Sequence, residues 1–503
     1  MLGSVDSCVL FGLDVRRIRV EADIGRGGNG AFSLVGLAST TVKESRERVR
    51  SAIRNSGLEF PTTRLTVNLA PAELRKEGTA LDLPIAVAIA LARVNKTAPP
   101  GSAFVGEVAL DGSVRHVDGV VVVARGLRKL GYRRLFVPVE DAAEAALIDG
   151  IEIIPCTSLR AVVNHLLDVE SIASTTSSDF ATGEQAQVEH DLSEVHGQEE
   201  AKRALEVAAS GGHHLLMSGP PGAGKTMLAR CLPGILPPLE LYEALEVSQV
   251  RSLLGDLPRE KPLDWTRPFR APHHGISMAG LIGGGSGLAA PGEISRANHG
   301  VLFLDELAEF AAPVLQALRQ PLEAGRVTIT RSGGSVTYPS RFTLVAATNP
   351  CPCGWAGDPV RSCHCPPGAI NTYQRRLSGP LVDRIDLQVG VRRVRLEALS
   401  AEPLGESSAT VRDRVVQARS RQIERQGCLN AQLKPARLRQ VAALPVGTRR
   451  TLERWAEQRG MTARGFHRAW RVARTTADLD GSPQIEQRHI LEALGFRLSD
   501  VAA

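Results

Sequence analysis

Eight consecutive residues, GPPGAGKT from Gly219 to Thr226, have the types and spacing to hold the phosphates of a nucleotide. Glycines at 219, 222 and 224 let backbone N–H groups converge on phosphate oxygens, and Pro220, Pro221 and Ala223 complete the loop. Lys225 is placed to reach the β- and γ-phosphates and the Thr226 hydroxyl to ligate Mg²⁺, with Met227 next in the same turn. The apolar run HLLMSG before the loop predicts a buried strand, and MLARCLPGIL after it predicts a helix whose N-terminus faces the phosphates.

Three further segments supply the chemistry such a loop needs. VLFLDE, 301 to 306, is an apolar strand ending in two acids: Asp305 to hold Mg²⁺ through water and Glu306 to polarise an attacking water. FTLVAATNP is a second buried strand, with Asn349 at its tip to sense the γ-phosphate or orient the water. RRLSGPLVDRIDL presents Arg384 between acids. An arginine offered by the next subunit stabilises charge developing on the γ-phosphate, whereas one paired with Asp383 or Asp386 is a plain salt bridge, and the local sequence allows both.

Cys351, Cys353, Cys363 and Cys365 form two C-x-C pairs in CPCGWAGDPVRSCHC. Four soft ligands closing one loop fit tetrahedral structural Zn²⁺ with no open position; His364 is a substitute ligand, and free buried thiols are the alternative.

These segments need a scaffold, and 503 residues suffice for about three domains. With 43% hydrophobic and 23% charged residues the chain reads as soluble and globular. No run of eighteen apolar residues occurs and the start lacks a basic signal region, so a cytoplasmic protein with no membrane partner is expected. The net charge of +6 is concentrated after residue 410, which points to nucleic acid or to a solvated helical face. Residues 1–168 alternate strands (16–25, AFSLVGL, 64–69) with helices (TTVKESRERVRSAIRNSG and the apolar LDLPIAVAIALARV), followed by a hairpin at Asp111-Gly112. Residues 169–190 read as a linker, 191–400 as the nucleotide-binding core and 401–503 as a helical lid.

The order GEVALDGSVRHVDG, helix, RRLFVPVED resembles the proteolytic domain of Lon-type proteases, with a ribosomal-protein-S5-domain-2-like fold. Its Ser–Lys dyad is missing: Thr79 stands nearest the serine position, and Val121 and Val123 stand where lysines would sit, so the fold is expected without peptidase chemistry. Taken together, the phosphate loop, VLFLDE, ATNP, DRID, PFRAPHH, IGGG and the Lon-like front resemble the ComM/YifB family of magnesium-chelatase-like AAA+ ATPases over nearly the whole chain. That resemblance implies an α/β multidomain ATPase that binds ATP and Mg²⁺, assembles as a homo-hexamer, and moves single-stranded or branched DNA, promoting branch migration as a helicase. The alternative it leaves open is a chelatase-like ATPase that remodels a protein partner without DNA. It also implies that the hairpin RVTIT-RSGG-SVTY enters the hexamer channel with Arg331 at its tip on DNA, and that Arg267, Arg270, His273 and His274 form a second pore element; intersubunit packing, hydrogen bonding or a metal role is the alternative for the two histidines. Arg464 matches the second sensor, reaching toward the γ-phosphate from the lid, while Arg468 and Arg471 on the same face pair with acids or solvent.

Overall fold

The structure is a computed structural model describing residues 1–27, 30–37, 39–175, 189–285, 289–331, 333–377, 381–394 and 405–497. Most of the expected linker, the last residues of the glycine run after Ile282 and the boundary before the lid lie outside those residues.

The first 168 residues build a seven-stranded mixed sheet, ordered Phe32–Val35, Leu65–Ala70, Asp14–Ile24, Leu2–Phe11, Ser102–Phe104, Arg134–Pro138, Glu152–Cys156. The expected helices are present. Thr40–Asn55 starts at Ser39, whose hydroxyl caps the Val42 N–H, and Asp82–Arg93 is buried along nearly its whole length, as its apolar sequence requires. The hairpin at Asp111-Gly112 forms through Glu107–Val108 and Val114–Arg115. One strand was not legible in the sequence: Leu2–Phe11, which pairs antiparallel with Asp14–Ile24 along its full length through a turn at Gly12, where φ is +65°. Its serines and acid break the apolar alternation that would announce it.

The nucleotide-binding core is a five-stranded parallel sheet ordered Phe269–Arg270, Val301–Leu304, Thr343–Thr348, Leu215–Ser218, Leu387–Gly390. Its middle strands are apolar apart from Ser218, Thr343 and Thr348 at their ends, because helices cover both faces. Parallel order sets all the carboxyl ends on one edge of the sheet, which is where ligands bind in such folds.

The two regions share an interior. Helix Leu241–Leu253 of the core packs on helix Val120–Lys129 of the first domain, burying Ala244 and Val247 beside the valines of that helix. Arg125 donates to Gln249 Oε1 at 2.5 Å, and the Glu144 carboxylate accepts from both the Val121 N–H and the Ser252 hydroxyl. A second seam joins the hairpin Arg326–Arg331/Gly334–Pro339 to the turn after Leu2–Phe11. Val327, Ile329, Val336 and Tyr338 form a small apolar cluster against Phe11 and Leu13, and a Cβ on Gly334 would lie 2.6 Å from the Phe11 ring.

The C-terminal region is helical as expected: Ser408–Gln426, Pro435–Val441, Val446–Gln458, Ala463–Leu479 and Gln487–Gly495. Asp478, buried on the fourth of these helices, accepts from Arg425, Asn430 and Arg474 and so ties three segments together. No helix among the described residues is long and apolar enough to cross a membrane.

Candidate nucleotide site

The phosphate loop turns from strand Leu215–Ser218 into helix Lys225–Ile235. Gly222 and Gly224 take φ of +74° and +90°, values a side chain would strain, so at these two positions glycine is required by the backbone itself. Lys225 is buried, and its ammonium donates to the carbonyls of Gly219 (2.6 Å) and Pro220 (3.0 Å) and to Asn349 Oδ1 (3.1 Å). Burial pulls its pKa down while Asp305 and Glu306 push it back up. The Thr226 hydroxyl donates to Asp305 Oδ2 at 3.0 Å, so the two expected Mg²⁺ ligands already stand together. The second Asp305 oxygen accepts the Glu306 N–H at 2.9 Å.

Glu306 has φ +51°, a left-handed conformation that costs a side-chain-bearing residue on the order of 1–3 kcal/mol. The tight turn throws its half-exposed carboxylate off the strand end, and His274 Nδ1 lies 3.4 Å from that carboxylate. Strand tips that are far apart in sequence thus bring Lys225, Thr226, Asp305, Glu306 and Asn349 to one edge of the sheet. His274, expected in a pore element or in packing or hydrogen bonding, is a neighbour of Glu306, and the His273 ring lies tilted against it with 4.0 Å between ring centroids. Sequence reading also missed a contact of Gln198. This residue is left-handed at the start of helix Glu199–Gly211, and its side-chain amide donates to the Ala223 carbonyl of the phosphate loop at 3.4 Å.

Residues 191–399 match the family described as magnesium chelatase, subunit ChlI; 20–141 match subunit ChlI of Mg-chelatase; 405–497 match its C-terminal part. Uncharacterized protein YifB of Escherichia coli strain K12 is 43% identical over 99% of this chain and 97% of its own length. Competence protein ComM of Haemophilus influenzae is 42% identical over the same shares. The chain belongs to the ComM/YifB family of magnesium-chelatase-like AAA+ proteins. The 38 kDa magnesium-chelatase subunit of Rhodobacter capsulatus is similar over a shorter stretch, 29% identical across 34% of this chain and 53% of its own. An ATPase of this family uses ATP and Mg²⁺, and the cluster at the sheet edge has the residues for both.

The arginines lie elsewhere. Gly390 pairs with Ser218 at the phosphate end of the sheet and Leu387 with Leu215 at the opposite end, and Arg384 precedes Leu387. At about 3.3 Å per residue, the strand alone puts about 10 Å between its phosphate end and the end that Arg384 precedes. Its ion-pair partner is Glu323, at 2.6 Å and 2.9 Å, and neither Asp383 nor Asp386; Asp386 is buried against His213 Nδ1 at 3.0 Å. Arg464 opens onto the same cleft, of about 1270 Å³, together with Arg384 and His214, and no phosphate-loop residue lines it. The lid helix therefore does not carry Arg464 over its own chain's nucleotide, because helix Ala463–Leu479 docks through Thr475 on His213 at the amino ends of the strands. Arg468 and Arg471 donate to the carbonyls of Ile385 (3.1 Å) and Ala431 (2.7 Å) and both lie in the field of Asp386; Arg471 is half-buried at the cleft, and burial pulls the Arg468 pKa down to about 10.

Two arginines expected on DNA are engaged within the chain. Arg267 is enclosed, donating to the carbonyls of Pro237, Pro238 and His299 and pairing with Glu243 at 3.2 Å. Glu243 is pushed up by burial and pulled further down by His299 and Arg267, to about 2. Arg270 is held by both oxygens of Glu293, at 2.6 Å and 2.8 Å. Arg267→Ala should thus act on stability, costing about 3–5 kcal/mol because it removes one partner of a buried ion pair and leaves the carbonyls of Pro237, Pro238 and His299 without their donor. Thermal unfolding should register that loss, while DNA affinity per folded molecule stays unchanged. Arg331 remains exposed at the hairpin end.

Proposed function

We propose that this chain is an ATP-driven motor, assembled as a ring of identical subunits, that translocates DNA and promotes branch migration. The observation that carries the reading is the division of the chemistry between the two edges of one sheet. Lys225, Thr226, Asp305, Glu306 and Asn349 gather at the carboxyl edge, and Arg384 and Arg464 open onto a cleft at the amino edge. A second copy whose cleft faces this nucleotide would supply both arginines, which makes the active unit an interface; six copies are the closed ring proposed. The DNA reading is supported by Arg331 on a two-stranded hairpin that is buttressed by the first domain, and by the competence name of a relative. Arg384 would stabilise the transferring phosphoryl group and Arg464 would report the neighbour's nucleotide to the lid. The first domain is read as Lon-like without its dyad and the chain as cytoplasmic.

Similarity to a magnesium-chelatase subunit favours a second reading, in which the same ATPase remodels a protein partner. ATP hydrolysis without DNA and with single strand, duplex and a four-way junction separates the two. Stimulation by junctions, lost in Lys225→Ala, is the expected result; turnover indifferent to every nucleic acid would leave the protein-partner reading. Arg331→Ala should weaken DNA binding to a similar extent across sequences, with a shallower salt dependence by about one unit of log–log slope. Basal turnover should be unchanged.

A further inference from the structure

The loop after Asn349 carries an arrangement that the nucleotide chemistry does not use. The Sγ atoms of Cys351, Cys353, Cys363 and Cys365 all lie within 4.8 Å of one another. Cys351 to Cys353 is 3.4 Å, and Cys363 lies 3.6 Å from each of them. Four thiolates bonded at about 2.3 Å to a tetrahedral ion have sulfur–sulfur edges of about 3.8 Å, close to the spacing seen. Backbone N–H groups point at the sulfurs, Ala356 to Cys351 at 3.3 Å and Cys365 to Cys363 at 3.4 Å, an arrangement that favours thiolates. His364, between two ligands in sequence, is not part of the cluster. An all-cysteine shell with four protein ligands is closed, so its role is structural.

Its position relative to the nucleotide site gives that structure a purpose. Cys351 is fully buried two residues beyond Asn349, whose Oδ1 accepts from Lys225. Gly354, at φ +85°, sits so close to the phosphate loop that a Cβ there would lie 2.5 Å from Pro221 Cδ. The loop thus touches the site at two points, the tip of the Asn349 strand and the back of the phosphate loop. Apart from the sulfurs, it is held by short-range contacts: Asp358 accepts the N–H groups of Val360 and Arg361, and the Arg361 guanidinium lies over Trp355.

We propose that the four cysteines bind one Zn²⁺ and that the metal-closed loop is a positioning device for ATP hydrolysis, holding Asn349 and backing the phosphate loop through Gly354 on Pro221. The positioning half rests on the ATPase reading; the metal site does not. Elemental analysis of the full chain purified without chelator should give about one zinc per chain, and protein grown with cobalt should show the visible absorption of a tetrahedral thiolate site. The double variant Cys363→Ser/Cys365→Ser should contain no zinc, and its turnover number should fall about tenfold through a misplaced Asn349. Its affinity for a fluorescent ATP analogue should stay within about twofold, because Lys225 and the loop amides are intact. Cys365→His, which preserves a four-ligand set, should restore both zinc and turnover. Metal-free wild-type protein would overturn the site. A zinc-free variant with normal turnover, or one losing ATP affinity and turnover together, would overturn the positioning role. A wild-type chain that holds zinc but hydrolyses no ATP would sink the ATPase reading and leave the metal site standing.

Discussion

Glu306→Gln is expected to lower ATP turnover by about 10²–10⁴-fold, the usual range for removing a positioned general base, with ATP affinity kept. The amide retains the size of the carboxylate and its place beside His274 but cannot take a proton from water. Lys225, Thr226 and Asp305, which hold the phosphates and Mg²⁺, do not depend on the Glu306 side chain in the geometry described. Phosphate release measured beside binding of a fluorescent ATP analogue checks both halves. A variant keeping more than about a tenth of the turnover would remove Glu306 from the chemistry. Lys225→Ala, by contrast, should lose binding and hydrolysis together.

The second large effect tests the two-edge arrangement. Arg384→Ala should reduce turnover by about 10³–10⁵-fold, the range associated with an arginine supplied to a transferring phosphoryl group. The chain's own nucleotide site should remain intact. Mixing this variant with Lys225→Ala chains should recover part of the activity, because mixed interfaces of one orientation pair the competent site of an Arg384→Ala chain with the intact arginine of a Lys225→Ala neighbour. Glu323→Gln serves as the control: it removes the partner of Arg384 seen here and should leave turnover near the wild-type level if the arginine's task lies on the neighbouring subunit. No recovery on mixing would return Arg384 to a structural ion pair.

The nucleotide site was the most legible part of the chain. A phosphate loop needs glycines at fixed offsets, and VLFLDE and FTLVAATNP are apolar runs that end in polar residues. All of these are local signals, and the structure brings them to one edge with Lys225 on Asn349 and Thr226 on Asp305. The arginines were poorly legible. Arg267 sits in a loop-like PFRAPHH stretch that reads as available for DNA, yet its guanidinium is surrounded by carbonyls from residues thirty positions away in each direction. Spacing along a helix placed Arg464, Arg468 and Arg471 on one face but said nothing of what that face meets.

By itself, the sequence determined the motifs, most of the elements carrying them, the hairpin with Arg331 at its end, and the pairing of cysteines in two arms, because turn residues and hydrophobic period act over a few positions. Only the tertiary structure decided which edge of the sheet each group occupies, that His274 meets Glu306, that the first strand braces the hairpin through Phe11, and that four sulfurs converge. Those facts depend on the order in which parallel strands pair and on which helix docks at which end. Both are set by burial summed over contacts between distant segments, which no local window of sequence contains.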